Sequence, residues 1–185
     1  MATETGFQRD WLNERFTFDC KARNKIVEKA CLRHFQDHTL IKIVDIGSGT
    51  GSNALYLMER FPQNQHWILV ELNPELAKAS LKNLQAHAKK EGYEVEVSHN
   101  SLYLNKAAKT ISIQVVRESF LELDTVLDLN TFDLLTAGAV FDLLSESLLE
   151  KLLRTIQKHK IACLTTINYE GIEFIPAQES DEIYI

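Results

Sequence analysis

The stretch Val44-Asp45-Ile46-Gly47-Ser48-Gly49-Thr50-Gly51 sets three glycines at alternate positions directly behind the apolar run Leu40-Ile41-Lys42-Ile43. A short, branched, nearly continuous apolar run that stops at glycine is the pattern of a strand buried on both faces. Helical spacing follows at Ala54, Leu57, Met58 and Phe61, and Pro62 ends it. A strand, a glycine turn and a helix in that order bring free N–H groups and backbone without side chains to one place, where a ligand can approach closely.

Working outward, a second apolar run, Trp67-Ile68-Leu69-Val70, closes on Glu71. A carboxylate at the end of that strand can accept both hydroxyls of a ribose. Asn73-Pro74-Glu75 is a helix start, since Asn caps, Pro suits the first turn and Glu favours the positive end of the dipole. A helix is predicted over residues 74–90, closed by Gly92. Alternation then takes over (Val95, Val97; Leu102, Leu104; Ile111, Ile113, Val115), which predicts a hairpin-like insertion leading into a third strand over residues 111–117. A fourth strand over 131–136, an amphipathic helix over 145–160 and a fifth strand over 161–165 complete the pattern. Upstream, residues 7–35 have helical spacing, with a break expected near Thr17. Strands alternating with helices make an α/β chain with a doubly wound, mainly parallel sheet, in order 3-2-1-4-5. Residues 1–39 form a helical lid and residues 40–185 the main domain on this reading.

Composition narrows the function. The 185 residues, 45% hydrophobic and 25% charged, suit one domain. A net charge of −6 leaves no cation excess for a phosphate backbone, which disfavours a nucleic-acid partner. Cys20, Cys31 and Cys163 are odd in number and lack a C-x-x-C pair, so neither disulfides nor zinc are suggested and a reducing cytoplasm fits best. The six histidines, at 34, 38, 66, 87, 99 and 159, lack ligand spacing, so no metal is expected. The polar first ten residues carry no apolar leader, and no apolar stretch approaches the ~18 residues of a membrane span.

The identity of the ligand turns on spacing. The dinucleotide fingerprint G-x-G-x-x-G needs glycine where Ser52 stands, which weakens a nicotinamide oxidoreductase. Asp45 would oppose a pyrophosphate but suits a cationic ammonium or sulfonium, as in S-adenosylmethionine. Here the chain resembles the class I S-adenosylmethionine-dependent methyltransferases, whose D-x-G-x-G-x-G motif is matched by Asp45, Gly47, Gly49 and Gly51, with Ser48 inside it. The resemblance spans roughly residues 10–181. It implies Glu71 on the ribose and Leu72 beside the adenine. Phe132 to Leu143 is similar to the fourth motif of a subgroup of small methyltransferases, and Trp11, Leu12, Arg15, Asp19, Ala22, Arg23 and Tyr169-Glu170-Gly171 match that subgroup's other motifs.

The resemblance further implies a lid that brings Asp19 or Arg23 to the methionine end of the cofactor. An Asp19–Arg23 ion pair one helical turn apart is the plainer alternative. The third motif's usual Asp is replaced by Arg117-Glu118-Ser119-Phe120, which leaves Glu118 or Ser119 for the adenine amino group and Phe120 for the ring. Ala137 falls at the cofactor, the small residues Thr136 to Ala139 leave room for a small-molecule acceptor, and Asp142 is either a substrate contact or a helix cap. Trp11, Phe16 and Phe18 are expected in the core. About twenty residues follow Thr165, so strands six and seven are expected to be missing, the chain to be a truncated form, and the fifth-strand edge to invite self-association. A non-catalytic nucleoside-binding module is the competing class.

Overall fold

The computed structural model describes residues 9–168. Its chain order is α1 (Arg9–Ala22), α2 (Lys25–His34), β1 (Leu40–Ile46), α3 (Ser52–Met58), β2 (Asn64–Val70), α4 (Pro74–Lys90), β3 (Glu94–Ser98), β4 (Ser101–Lys106), β5 (Lys109–Val116), α5 (Leu123–Val126), β6 (Leu134–Gly138), α6 (Glu146–His159) and β7 (Ala162–Thr166), with short 3-10 turns at Phe120–Glu122, Leu129–Thr131 and Phe141–Leu143.

One sheet runs in the order β3-β4-β5-β2-β1-β6-β7. Strands β5, β2, β1, β6 and β7 are parallel, and β3 and β4 join the β5 edge antiparallel. The expected five-strand sheet lacking strands six and seven is therefore corrected: the sheet has seven strands, β6 and β7 standing near the places read as the fourth and fifth and β3 and β4 adding two more. The alternating residues read as a hairpin-like insertion are two full ladder strands, pinned because Leu102 and Leu104 point into the core opposite Ile113 and Ile111.

The sheet is covered on both faces, as its parallel strands require. On one side α3 and α4 pack Ala54, Leu57, Met58, Ala77 and Leu84 against Ile43, Trp67 and Leu69. On the other, α5 and α6 pack Leu123 and Leu152 against Val44, Ile46, Ile68 and Leu135. The end of the short α3 and the turn after it have carbonyls satisfied from β2 and β5: Gln65 Nε2 donates to Met58 and Phe61 at 2.9 and 2.8 Å, and Lys109 Nζ donates to the same two at 2.7 Å.

The break between the first two helices lies at Arg23 and Asn24, not near Thr17. Asn24 Oδ1 accepts from Ile26 N–H and Val27 N–H at 2.9 and 3.2 Å, a cap that Thr17 does not provide. Phe16 packs on the core as expected, but Phe18 is 73% exposed. The Trp11 side chain and Tyr169-Glu170-Gly171 lie outside the described residues. No described helix is long and apolar enough to cross a membrane.

Candidate functional site

The carboxyl ends of β1, β2 and β6 converge below α1, and a cleft of about 680 Å³ opens between them. The turn after β1 builds its floor. Ser48 N–H donates to Val70 O at 3.2 Å, Gly51 N–H donates to Ser48 O at 2.8 Å, and Gly47, Gly49 and Gly51 all have positive φ. A Cβ on Gly47 would sit 2.8 Å from Val140 Cγ2, and one on Gly51 would sit 3.1 Å from Ser80 Cβ, so both are closed to larger residues. At Gly49 a Cβ would meet Leu12 Cδ1 at an ordinary 3.6 Å, which leaves the left-handed φ of +54° as its constraint.

Glu71 bridges the floor. Its Oε2 accepts from Gly49 N–H and its Oε1 from Asn73 N–H, both at 2.8 Å, which fixes a nearly buried carboxylate on the cleft wall. Gly47 and Gly49 line the cleft with it, as do Phe120, Gly138 and Asp142. Asp142 lies in a 3-10 turn and the N-cap position of α6 is Ser145, so the helix-cap alternative for Asp142 does not hold. The roof is α1, which contributes Leu12, Arg15, Phe18 and Asp19. Asp19 pairs with Arg15 at 2.9 Å, not with Arg23.

Other expected site residues stand outside the cleft. Leu72 is 66% exposed, Glu118 is exposed, and Ser119 spends its hydroxyl on Leu121 N–H at 3.3 Å. Ser48, Gly51 and Ala137 are buried behind the wall. Asp45 is fully buried, with Oδ1 accepting from Asn53 Nδ2 at 2.6 Å. Asn53 Nδ2 also donates to Thr136 Oγ1 at 3.0 Å, and Asn53 Oδ1 accepts from Arg23 Nη2 at 2.7 Å. Burial pushes the Asp45 carboxyl up to about 7, although the Asn53 hydrogen bond and the Arg23 charge hold it down. Burial lowers the Arg23 guanidinium, and Asp45 opposes that shift.

Sequence reasoning missed Asn53, which ties β1, β6 and the joint between α1 and α2 through a single side chain. Its one visible signal is a polar residue on the apolar face of a helix that begins at a glycine turn. It also missed Phe18 and Arg15 as cleft residues. Among the described residues no cluster of His, Cys, Asp and Glu could hold a metal ion.

The charge of the cleft is one-sided. Three carboxylates (Asp19, Glu71, Asp142) face one guanidinium, that of Arg15, which is bonded to Asp19. A pyrophosphate would enter against that field and a ligand with cationic groups along it.

No family model matches the chain, and no curated protein matches it by sequence. Its solved structural neighbours include a protein of Methanococcus maripaludis described as an S-adenosyl-L-methionine-dependent methyltransferase (13% identity over 89% of this chain, TM-score 0.59). The CurJ carbon methyltransferase (15% over 86%, TM-score 0.56) and the sugar N-methyltransferase KedS8 from Streptoalloteichus (18% over 86%, TM-score 0.52) are also similar. The chain spans 66%, 39% and 51% of those three proteins. At such identities the likeness is one of fold. The chain has the fold of the class I S-adenosylmethionine-dependent methyltransferases.

Proposed function

We propose that the cleft under α1 binds S-adenosylmethionine and that the protein transfers its methyl group to a small-molecule acceptor. The observation that carries this reading is the acidic cleft over a glycine turn: carboxylates at Asp19, Glu71 and Asp142 suit a ligand whose sulfonium and ammonium are both cationic. A volume of about 680 Å³ lies in the ordinary range for small-molecule sites, ~300–1,000 Å³.

Glu71 would exchange its hydrogen bonds from Gly49 and Asn73 for the ribose hydroxyls. Phe120, Leu76 and Val140 offer apolar surface to a base, and Asp19 offers its carboxylate to the cationic end. The bound cofactor supplies an electrophilic methyl group on a sulfonium, so the chain's task is to position an acceptor and keep water away. Residues 1–39 act as a lid on this reading, α1 closing over the ligand, while residues 40–168 hold the floor. Gly138, Ala139 and Asp142 stand on the acceptor side. The net charge of −6 favours a small acceptor over a nucleic acid.

Calorimetric titration tests the reading directly. S-adenosylmethionine and S-adenosylhomocysteine should bind and NAD should not, and preference for NAD would overturn it.

A further inference from the structure

A second cavity, of about 310 Å³, lies at the joint of α1 and α2 beside the end of β7. Arg23 lines it, together with Thr165 and Thr166 at the end of the strand, Asn168 beyond it, and apolar Val27, Leu57 and Leu164. The cavity shares no residue with the wall of the larger cleft.

Arg23 is only 8% exposed, yet among the described residues no carboxylate lies within ion-pair distance of it. Its Nη2 is used on Asn53 and its guanidinium lies 4.2 Å from the centre of the Tyr56 ring, but Nε and Nη1 have no partner. Thr166 Oγ1, on the same cavity, is also buried without one. Unpaired buried donors of a charged group are rare because desolvation is costly. Two N–H groups of one guanidinium form a fork that fits the two oxygens of a carboxylate.

The surroundings select the anion. Glu28 is also on the cavity wall, where Lys25, Tyr56 and Arg60 engage it, and the Asp45 charge acts on Arg23 from behind Asn53, so what is left for a ligand is the unbonded edge of the Arg23 guanidinium. One guanidinium beside a carboxylate suits a monoanion better than a phosphate dianion. Val27, Leu57 and Leu164 give the rest of the ligand an apolar bed.

We propose that this cavity is a second ligand site that binds the carboxylate of a small apolar acid through the free edge of Arg23, with Thr166 as a further hydrogen-bond partner. The site stands whether or not the larger cleft holds S-adenosylmethionine.

Three probes with one hydrocarbon body separate the possibilities: hexanoate, hexanamide and pentyl phosphate, titrated into the full chain. The readouts are calorimetry and the Arg23 Nε–H nuclear magnetic resonance signal, assigned by its loss in Arg23→Lys. Hexanoate should bind at least tenfold more tightly than the other two and should shift that signal. Thr166→Val leaves the buried Arg23 network intact, and should weaken hexanoate several-fold without changing binding of S-adenosylhomocysteine. Equal binding of acid and amide, preference for the phosphate, or no binding of any probe would overturn the proposal. Titration with S-adenosylhomocysteine reports on the larger cleft separately.

Discussion

On the floor of the cleft the chain holds its position through its own backbone: Ser48 N–H on Val70, Gly51 N–H on Ser48, and Glu71 N–H on Val116. The roof is held otherwise. Helices α1 and α2 are tied to the floor at their joint through side chains, chiefly the Arg23 to Asn53 hydrogen bond at 2.7 Å, while Phe18 of α1 stays 73% exposed. Backbone bonds within a sheet are lost only when the sheet opens, whereas a helix held by side chains can open by itself. The floor is thus preformed and the roof is adjustable, and substitutions should divide along that line.

The largest effect is expected where the two meet. Asn53→Leu leaves Asp45 without its hydrogen bond and Arg23 without its acceptor, both buried, and should cost about 3 kcal/mol in denaturant unfolding. Asn53→Ala, which adds no bulk, should cost a similar amount. A loss below about 1 kcal/mol would mean that the roof is not fastened at this point.

Gly47→Val tests the floor alone. Its Cβ would fall 2.8 Å from Val140 Cγ2 at a φ of +56°, so left-handed strain and overpacking together should cost about 3 kcal/mol and abolish cofactor binding. Glu71→Ala should weaken S-adenosylhomocysteine by about 1.5–3 kcal/mol, the value of hydrogen bonds to a charged group. An unchanged dissociation constant would remove Glu71 from the ribose.

Much of the floor was legible in the sequence and little of the roof was. Residues 40–46 and 74–90 were read at the bounds that β1 and α4 have, because a branched run ending in glycine and an Asn-Pro-Glu start are local signals. The glycine turn and Glu71 were legible for the same reason. Which glycine is tightest is not legible, because Val140 and Ser80, distant in the chain, close on Gly47 and Gly51. The roof depends on such distant partners throughout. Asp19 and Arg23, one turn apart, look like an ion pair, but Arg15 takes Asp19 and Asn53 takes Arg23. Phe18 reads as core by its chemistry, and only the position of α1 above the cleft explains its exposure. Only five of the seven strands are legible in the sequence, because β3 and β4, added beyond β5 at one end of the sheet, carry the alternation of a local hairpin.

Asp45 gives the comparison a pH signature. With its carboxyl raised to about 7, the folded chain keeps a proton that the unfolded chain, titrating near the ordinary ~3.9, has already released. Through Asp45 alone, stability should therefore fall as pH rises from about 4 to about 7 and level off above that. Asp45→Asn should remove this slope, so the stability of the wild type minus that of the variant should decline across the window. A difference that stays flat would place the Asp45 titration elsewhere.

The smallest effect on folding should come from Phe18→Ala. A ring left 73% in water contributes little to the folded state, so unfolding should change by no more than about 0.5 kcal/mol. The same ring lines the cleft from the roof beside Leu12, Arg15 and Asp19, and a ligand entering beneath α1 would cover it. Burying that apolar surface on binding should then be worth roughly 1–2 kcal/mol, at about 25 cal/mol per Å². Stability and affinity should therefore separate in this variant as they do not in Gly47→Val, with a dissociation constant raised about tenfold in a protein that unfolds like the wild type. Equal small changes in both would mean that α1 does not close over the ligand, and the roof would then be a bystander to binding.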